Sequence, residues 1–194
     1  MKAPINEITI IIVLYEEKIS LIFRCLENIK NFKIIIVDNA GNIFLKKKIE
    51  EKFRIYKYIL NKKNYGLPKA YNKAIKQCDT EYALYLQADC LISNKDISIL
   101  LKSHKKYENC FITTPTFYDG ESKQSYNAGS LPEKNCNMDV INLDGDLCVE
   151  TVLGSANLLK KKDLTELGLF DENFFLYFLD FELCRRIKQK KKSV

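Results

Sequence analysis

Two patterns of hydrophobic residues alternate along the first 110 residues of the chain. Short, almost wholly apolar runs, such as ITIIIVL (8–14) and KIIIVD (33–38), are typical of strands that are buried on both faces. Between these runs, KISLIFRCLENIK places apolar residues three and four positions apart, which predicts a helix. The runs RIYKYIL and EYALYLQ predict further strands, and LPKAYNKAIKQC and KDISILLKSHKKY predict further helices. Alternating strands and helices indicate an α/β fold in which helices cover both faces of a parallel sheet.

The pattern changes after about residue 116. Residues 117–145 are polar and rich in turn-forming residues, which indicates a hairpin or flexible loops. The run DLTELGLF predicts a short helix with Asp163 as N-cap and Gly168 at its end, and a last helix is predicted from about Asp180. We therefore expect a single domain over residues 1–194, with a short basic tail from about residue 188.

Composition excludes several classes of protein. The chain has 194 residues, of which 46% are hydrophobic, so it is neither disordered nor a membrane protein. The most apolar run, ITIIIVLY, is too short to span a bilayer and follows no signal-peptide pattern, so we expect a cytoplasmic protein. Seven widely spaced cysteines and one histidine argue against a zinc site and a disulfide scaffold, and we expect most of the cysteines to be buried thiols.

The formal net charge of +6 is concentrated in lysine clusters at 46–48, at 160–162 and in the tail. A nucleic-acid-binding protein would interleave such clusters with exposed aromatic residues, but most aromatics here lie in apolar runs, so we predict no nucleic acid partner. Two interpretations of the lysines remain: solvated helix faces, or contact with an anionic membrane at the inner face of the cell membrane. His104, within KSHKKY, is predicted to be a solvated surface residue.

Carboxylates stand at the ends of two predicted strands. Asp38 ends the second strand and Asp89 follows the fourth, and in an open parallel sheet ligands bind in the crevice at these carboxyl ends. Such carboxylates suit a base or ribose, or a hard cation such as Mg²⁺ or Mn²⁺, although Asp is also a common turn residue. No Gly-rich loop follows the first strand, where the sequence is LYEEK. This argues against dinucleotides and P-loop nucleotides.

Five blocks, in chain order, resemble the family 2 glycosyltransferases, which have the three-layer GT-A fold. The resemblance covers about residues 8–186, and within the family the chain is similar to rhamnosyltransferase-like members. The blocks are ITIIIVLYEE, IIIVDNAGN, NKKNYGLPKAYNKAI, YLQADCLI and VLGSANLLKKKDLTELGLFDENFFLYFLDFELCRR.

The resemblance implies a role for particular residues. It implies a nucleotide-diphosphate sugar donor, UDP- or dTDP-linked, a glycan or lipid-linked acceptor, and Mn²⁺ or Mg²⁺ as cofactor. Asp89 would bind the metal and Asp180 would be the catalytic base, while Gly154, Glu182 and Arg186 would form or support the acceptor site. The donor nucleotide would be bound by Val13, Tyr15, Asp38, Asn64, Gly66, Asn72 and Gln87.

Three features depart from the family pattern. Gln87 replaces the first aspartate of D-x-D, Leu179 replaces the glutamate of the E-D pair, and the chain stops at Val194, where many relatives continue with helices that shape the acceptor site. An inverting, metal-dependent glycosyltransferase of cell-surface polysaccharide synthesis is the leading hypothesis. The alternatives are a non-catalytic remnant that binds a nucleotide sugar and a sugar nucleotidyltransferase, although the latter should carry a Gly-rich loop after its first strand. For Asp180 alone, the alternative role is a helix cap.

Overall fold

The apolar runs of the first half build a sheet in the computed structural model, which describes residues 4–118 and 145–194 together with the backbone of short strands between them. The first elements are β1 (Ile8–Leu14), α1 (Ile19–Ile29), β2 (Lys33–Asp38), α2 (Ile43–Lys52), β3 (Lys57–Leu60), α3 (Leu67–Ile75), β4 (Tyr82–Leu86) and α4 (Asn94–Lys106). They are followed by β5 (Ile112–Thr113), β6 (Phe117–Tyr118), β7 (Ser125–Tyr126), β8 (Ser130–Leu131), β9 (Lys134–Asn137), β10 (Ala156–Lys160), α5 (Lys161–Leu167) and α6 (Leu179–Gln189).

Six of the strands form one sheet, in the order β3-β2-β1-β4-β10-β5. β1 pairs in parallel with β2 and β4, and β2 pairs in parallel with β3. β10 runs antiparallel to both of its neighbours, β4 and β5. The predicted α/β class with a mostly parallel sheet is confirmed, whereas the insertion of β10 between β4 and β5 was not predicted.

Helices cover both faces of this sheet. Because side chains alternate along a strand, Ile10 and Ile12 of β1 belong to the core under α1, α2 and α4, whereas Ile11 belongs to the core under α3, α5 and α6. All three isoleucines are completely buried, and each contributes roughly 1.5–3 kcal/mol by leaving water. Burial on both faces explains why these strands lack an apolar–polar alternation.

His104 is buried, so the prediction that it is a surface residue was wrong. Its side chain is 5% exposed, Nδ1 lies 3.0 Å from Thr113 Oγ1, and the ring packs edge-on against Tyr82. The position continues the buried stripe of α4, which includes Ile97 and Leu101. The neighbouring lysines had masked this helical spacing. Burial lowers the pKa of His104 to about 4.

Helix α5 begins earlier than predicted. It starts at Lys161, directly after β10, so Asp163 lies in its first turn and is not the N-cap. The strand runs into the helix without a loop, which leaves Asp163 no position from which to cap. Gly168 ends the helix as predicted, in the left-handed conformation at φ +99°.

Two further segments bear on the predictions. In the polar region, β6 pairs antiparallel with β7 and β8 with β9, as a hairpin requires, while the side chains and connections of 119–144 lie outside the described residues. At the other end, the predicted basic tail folds back on the protein: the Phe111 amide donates to Ser193 O at 2.8 Å, and the Ser193 amide donates to Asn109 O at 2.9 Å. None of the helices in the described part of the chain is long and apolar enough to cross a membrane.

Candidate active site

The parallel strands β1, β2 and β4 end at one edge of the sheet, which is where the sequence predicts a ligand-binding crevice. We call this the carboxyl edge. β10 runs the other way, so the residues before it, including Gly154 and Ser155, reach the same edge. The Gln87 amide donates to Ser155 O at 2.9 Å, which joins the end of β4 to this segment. The fold therefore brings the residues that follow β1, β2 and β4 to the same edge as those that precede β10.

Asp38 organises the loop after β2. Its carboxylate is completely buried and accepts hydrogen bonds from the amides of Ala40 and Gly41, both at 2.9 Å, and from the amide of Asn42 at 3.2 Å. The Tyr58 hydroxyl also donates to it at 3.1 Å. Burial and then the charge of Asp38 raise the pKa of Tyr58, so its hydroxyl keeps the proton that it donates. To bind a nucleoside directly, Asp38 would have to exchange one of these partners.

The loop before α3 is held to the segment that precedes α6. Asn64 Oδ1 accepts a hydrogen bond from the Gly66 amide at 2.9 Å, and the Leu67 amide donates to Phe175 O at 2.7 Å. Gly66 has φ +84°, and a Cβ there would lie 2.6 Å from Phe175 O. Only glycine fits this close contact between the two loops.

Asn72 lies beneath this contact. It is 2% exposed, its Nδ2 donates to Phe170 O at 2.9 Å, and its Oδ1 accepts from the Phe170 amide at 3.0 Å. A second bond from Nδ2 reaches Glu172 at 3.1 Å. Asn72 therefore fastens α3 to the chain that leads to α6, and it does not present its amide to the crevice.

The residues after β1 and β4 differ in exposure. Val13 and Gln87 are half-buried, whereas Tyr15 and Asp89 are exposed. Glu17, which was not predicted as a site residue, lies close to them, and its Oε2 accepts a hydrogen bond from the Tyr15 amide at 2.5 Å. Burial, and then the charges of Asp38 and Asp89, raises the pKa of Glu17. A third carboxylate therefore stands among those predicted at the strand ends, and the acidic pair in LYEEK was the available signal.

A cation at the carboxyl edge would need ligands from the substrate to complete its coordination shell. Among the described residues, no three His, Cys, Asp or Glu side chains converge where they could hold a metal ion by themselves. Asp89 is exposed beyond β4, and the Cys90 thiol approaches its Oδ1 at 3.7 Å. Mg²⁺ is commonly held by one or two carboxylates together with substrate phosphates, and a single exposed carboxylate suits that arrangement.

Asp180 lies against Gly154. A Cβ at Gly154 would stand 2.8 Å from Asp180 Oδ2 and 3.3 Å from Oδ1, so the absence of a side chain leaves the space that the carboxylate fills. Burial raises the pKa of Asp180 from 3.8 to about 6, as its position beside buried residues of α6 predicts. Phe178 is the N-cap residue of α6, so the alternative that Asp180 caps this helix is wrong.

Glu182 and Arg186 lie two and six residues after Asp180 on α6. Arg186 donates from Nε to Glu182 Oε1 at 2.5 Å and from Nη2 to Oε2 at 2.8 Å. It also donates to the carbonyls of Leu167 and Leu169, at 2.9 and 2.7 Å. The bidentate pair holds the guanidinium in place within α6, and the bonds to the two carbonyls fix α6 to the end of α5. Leu179, in place of the family's glutamate, is 2% exposed and packs in the core beneath α6.

The sequence is similar to those of known glycosyltransferases. A family model described as glycosyl transferase family 2 matches residues 9–164. The dTDP-rhamnosyl transferase RfbF of Shigella flexneri is 23% identical over 188 residues, and the match covers 93% of this chain but 63% of that protein. The rhamnosyltransferase WbbL of Escherichia coli strain K12 is 25% identical over 187 residues, covering 84% of this chain and 70% of that protein.

A solved structure shares the fold. The crystal structure of GalNAc-T7 with UDP, GalNAc and Mn²⁺ has a TM-score of 0.76 to this chain, with 16% sequence identity, and the match covers 99% of this chain and 42% of that one. This likeness confirms the predicted GT-A fold. The chain therefore spans less than two thirds of RfbF and less than half of GalNAc-T7.

Proposed function

This chain belongs to glycosyl transferase family 2, and we propose that it transfers a sugar from a UDP- or dTDP-linked donor to a hydroxyl of a glycan or lipid-linked acceptor in cell-surface polysaccharide synthesis. The observation that carries the proposal is the Asp180 carboxylate, which fills the space beside Gly154 and has a pKa raised to about 6 by burial. A carboxylate with this pKa is mostly ionised at neutral pH and is a stronger base than an exposed one. RfbF, a dTDP-rhamnosyl transferase, supports a dTDP-linked donor.

In the proposed reaction, an acceptor hydroxyl oxygen forms a bond to the anomeric carbon of the donor while the bond from that carbon to the diphosphate breaks. Asp180 takes the hydroxyl proton as the new bond forms, and the nucleoside diphosphate leaves with the electron pair. Attack from the side opposite the diphosphate inverts the anomeric centre. A base that is shielded from water favours proton transfer from the acceptor over transfer from solvent.

Donor binding falls to the residues that follow β1, β2, β3 and β4. Tyr15 is exposed beside the crevice and offers its ring to a base, and the loop shaped by Asp38 offers backbone groups. Asp89, with Gln87 beside it, would hold Mn²⁺ or Mg²⁺, and the cation would neutralise the negative charge of the leaving diphosphate. The acidic group of Glu17 adds to the negative potential that attracts a cation here.

We also place this activity in the cytoplasm, at the inner face of the membrane, where a lipid-linked acceptor would be met.

The test is a thermal-shift panel of UDP, dTDP and GDP, with and without Mn²⁺, followed by hydrolysis and transfer assays with the sugar of the nucleotide that binds. We expect one nucleoside diphosphate to raise the Tm in a metal-dependent way and its sugar to be turned over by the wild type. Leu179 supports one alternative, a remnant that binds the donor without turnover. That alternative would be established by donor binding without turnover in the wild type and a gain of turnover in Leu179→Glu, in a variant shown by its Tm to be folded.

A further inference from the structure

Exposed apolar side chains border the crevice on two sides of the carboxyl edge. One group, Ile43 and Phe44, begins α2, and we call it the α2 rim. The other group lies in the segment before α6 and in its first turn, and we call it the α6 rim: Phe175, Leu176, Tyr177, Phe178 and Phe181. Phe44 and Tyr177 are each 75% exposed and Phe178 is 68% exposed. Large side chains so open to water, gathered at one edge, mark a surface that contacts something apolar.

The α2 rim is rigidly built and carries positive charge. Asn42 Oδ1 accepts hydrogen bonds from the amides of Phe44 at 3.1 Å and Leu45 at 3.0 Å, so the first turn of the helix holds Phe44 outward. Lys47 and Lys48 are exposed and follow Phe44 at spacings of three and four. An aromatic ring and two ammonium groups therefore share one side of this helix end.

The α6 rim is equally fixed. The hydrogen bond from the Leu67 amide to Phe175 O, 2.7 Å long, ties the segment to the start of α3. Phe178 adopts a left-handed conformation with φ +65°, which is uncommon for an aromatic residue, and its ring lies 6.1 Å from that of Phe181. Arg185 is exposed four residues after Phe181, on the same side of α6. This rim thus repeats the combination of aromatic and basic side chains.

We propose that the two rims dock the protein on an anionic membrane surface, with the carboxyl edge turned toward the lipid. Aromatic side chains enter the interfacial region, and lysine and arginine contact the anionic headgroups, so both rims match the chemistry of a bilayer surface. The net charge of +6 adds a long-range attraction. The inference rests on the proposed function in one respect: this orientation presents a lipid-linked acceptor to Asp180.

The arrangement favours a membrane over a second copy of the chain. Copies that paired through these rims would bring Lys47, Lys48 and Arg185 of one molecule toward the same charges of the other. The rims also lie over opposite faces of the sheet, with the acidic crevice between them. Two contacts separated in this way suit a deformable surface such as a membrane. The lysines at 160–162 are already engaged: Lys160 pairs with Glu81 at 3.0 Å and Lys161 donates to Cys78 O at 2.6 Å.

The chain contains no tryptophan, so a single introduced tryptophan reports its own surroundings. Phe44→Trp and Phe178→Trp place the reporter on the two rims. Tyr107→Trp is the matched control, because Tyr107 is an exposed aromatic beside Lys106 at the end of α4, on the opposite edge of the sheet. The probe is a vesicle of phosphatidylcholine with about one third phosphatidylglycerol, where each basic residue near the surface contributes to binding.

We expect the emission of both rim reporters to shift to the blue and to be quenched by brominated lipid, with no change for the control reporter. Phe44→Ser and Phe178→Ser should each weaken vesicle binding about tenfold, since an apolar side chain leaves the interface. Tyr107→Ser should have no effect, and binding should fade as salt increases.

The proposal is overturned if neither rim reporter responds, if the Tyr107 reporter responds equally, or if the serine variants bind as the wild type does. A Phe178→Trp signal that changes with protein concentration, or with a soluble glycan, instead of with vesicles would also overturn it. The same variants are titrated with nucleoside diphosphate and Mn²⁺ without lipid. If the protein binds the nucleoside diphosphate but not the vesicles, only the docking surface is ruled out. If the wild type does not bind the nucleoside diphosphate, the proposed function is ruled out.

Discussion

At the scale of single residues, Asp180 and Gly154 act as a pair. The carboxylate fills a space that any side chain at position 154 would occupy, and this partial burial shields it from water and raises its pKa to about 6. A charged group kept out of water makes the folded state less stable at neutral pH. The site therefore combines a useful base with a local loss of stability, as functional sites often do.

The first prediction concerns Asp180→Asn, which keeps the shape of the side chain and removes its charge. We expect a rate of sugar transfer reduced about 100-fold or more, with donor binding retained. The native pKa is raised, so the folded state binds the proton more tightly and stability falls as pH rises from about 4 to about 6. Above pH 6, the free energy of unfolding of the variant should therefore exceed that of the wild type by up to about 2 kcal/mol. Urea unfolding and transfer assays on the same samples test both parts, and normal turnover in the variant would remove Asp180 from the mechanism.

The second prediction concerns Asp89→Ala. We expect this variant to lose the Mn²⁺-dependent part of the thermal stabilisation by a nucleoside diphosphate, because stabilisation follows RT ln(1 + [L]/Kd) and the metal loses its carboxylate. Asp79→Ala is the matched control, since Asp79 lies before the other end of β4 and pairs with Lys33 at 2.8 Å. A full metal-dependent shift in Asp89→Ala would show that the cation is held elsewhere.

At the scale of elements, the apolar patterns predicted β1 to β4 together with α1, α3 and α4, because the strands are largely apolar runs and each of these helices buries one apolar stripe. The direction and position of β10 could not be predicted, since pairing between β4 and β5 depends on the path of the chain through residues 114–155. His104 could have been found, because it continues the buried positions of α4 at 97, 100 and 101. The strand ends predicted Asp38 and Asp89, whereas Glu17 reaches the crevice through a loop in which Glu16 has φ +64°, a conformation that apolar patterns do not encode.

The third prediction concerns the loop after β2. Asp38→Ala removes the acceptor of three backbone amides and the Tyr58 hydroxyl. We expect the free energy of unfolding to fall by about 2–3 kcal/mol, because buried donors lose their partner, together with weaker nucleoside binding with or without metal. Tyr58→Phe is the control, since it removes one of these hydrogen bonds and leaves the loop amides paired. Asp38→Ala with unchanged stability in urea would contradict the role derived from the structure.

At the scale of the whole molecule, two buried groups give stability an opposing pH dependence. Burial lowers the pKa of His104 from 6.5 to about 4, so the unfolded chain binds a proton that the folded protein excludes. The contribution of neutral His104 to the free energy of unfolding is fully present above about pH 6.5 and is lost as the pH falls toward 4. Asp180 acts in the opposite direction over much of the same interval, which conceals part of the effect in the wild type.

The fourth prediction is therefore made in the Asp180→Asn background. There, adding His104→Asn should reduce the loss of unfolding free energy between pH 6.5 and pH 4 by about 2 kcal/mol, while keeping a polar partner for Thr113. Urea unfolding measured across this interval provides the test. Equal slopes with and without His104 would mean that other groups control the acid sensitivity.

The insertion of β10 has a consequence for how the protein is made. β10 starts 70 residues after the end of β4, yet it lies between β4 and β5 and completes the carboxyl edge. During synthesis the first four strands can pair while the far side of β4 still presents open backbone groups, and contacts this distant in sequence form slowly. An exposed, fully apolar edge invites pairing with another chain. Nascent chains or fragments that end before residue 156 should therefore aggregate. Once β10 has left the ribosome and paired with β4, this edge of the sheet should be protected.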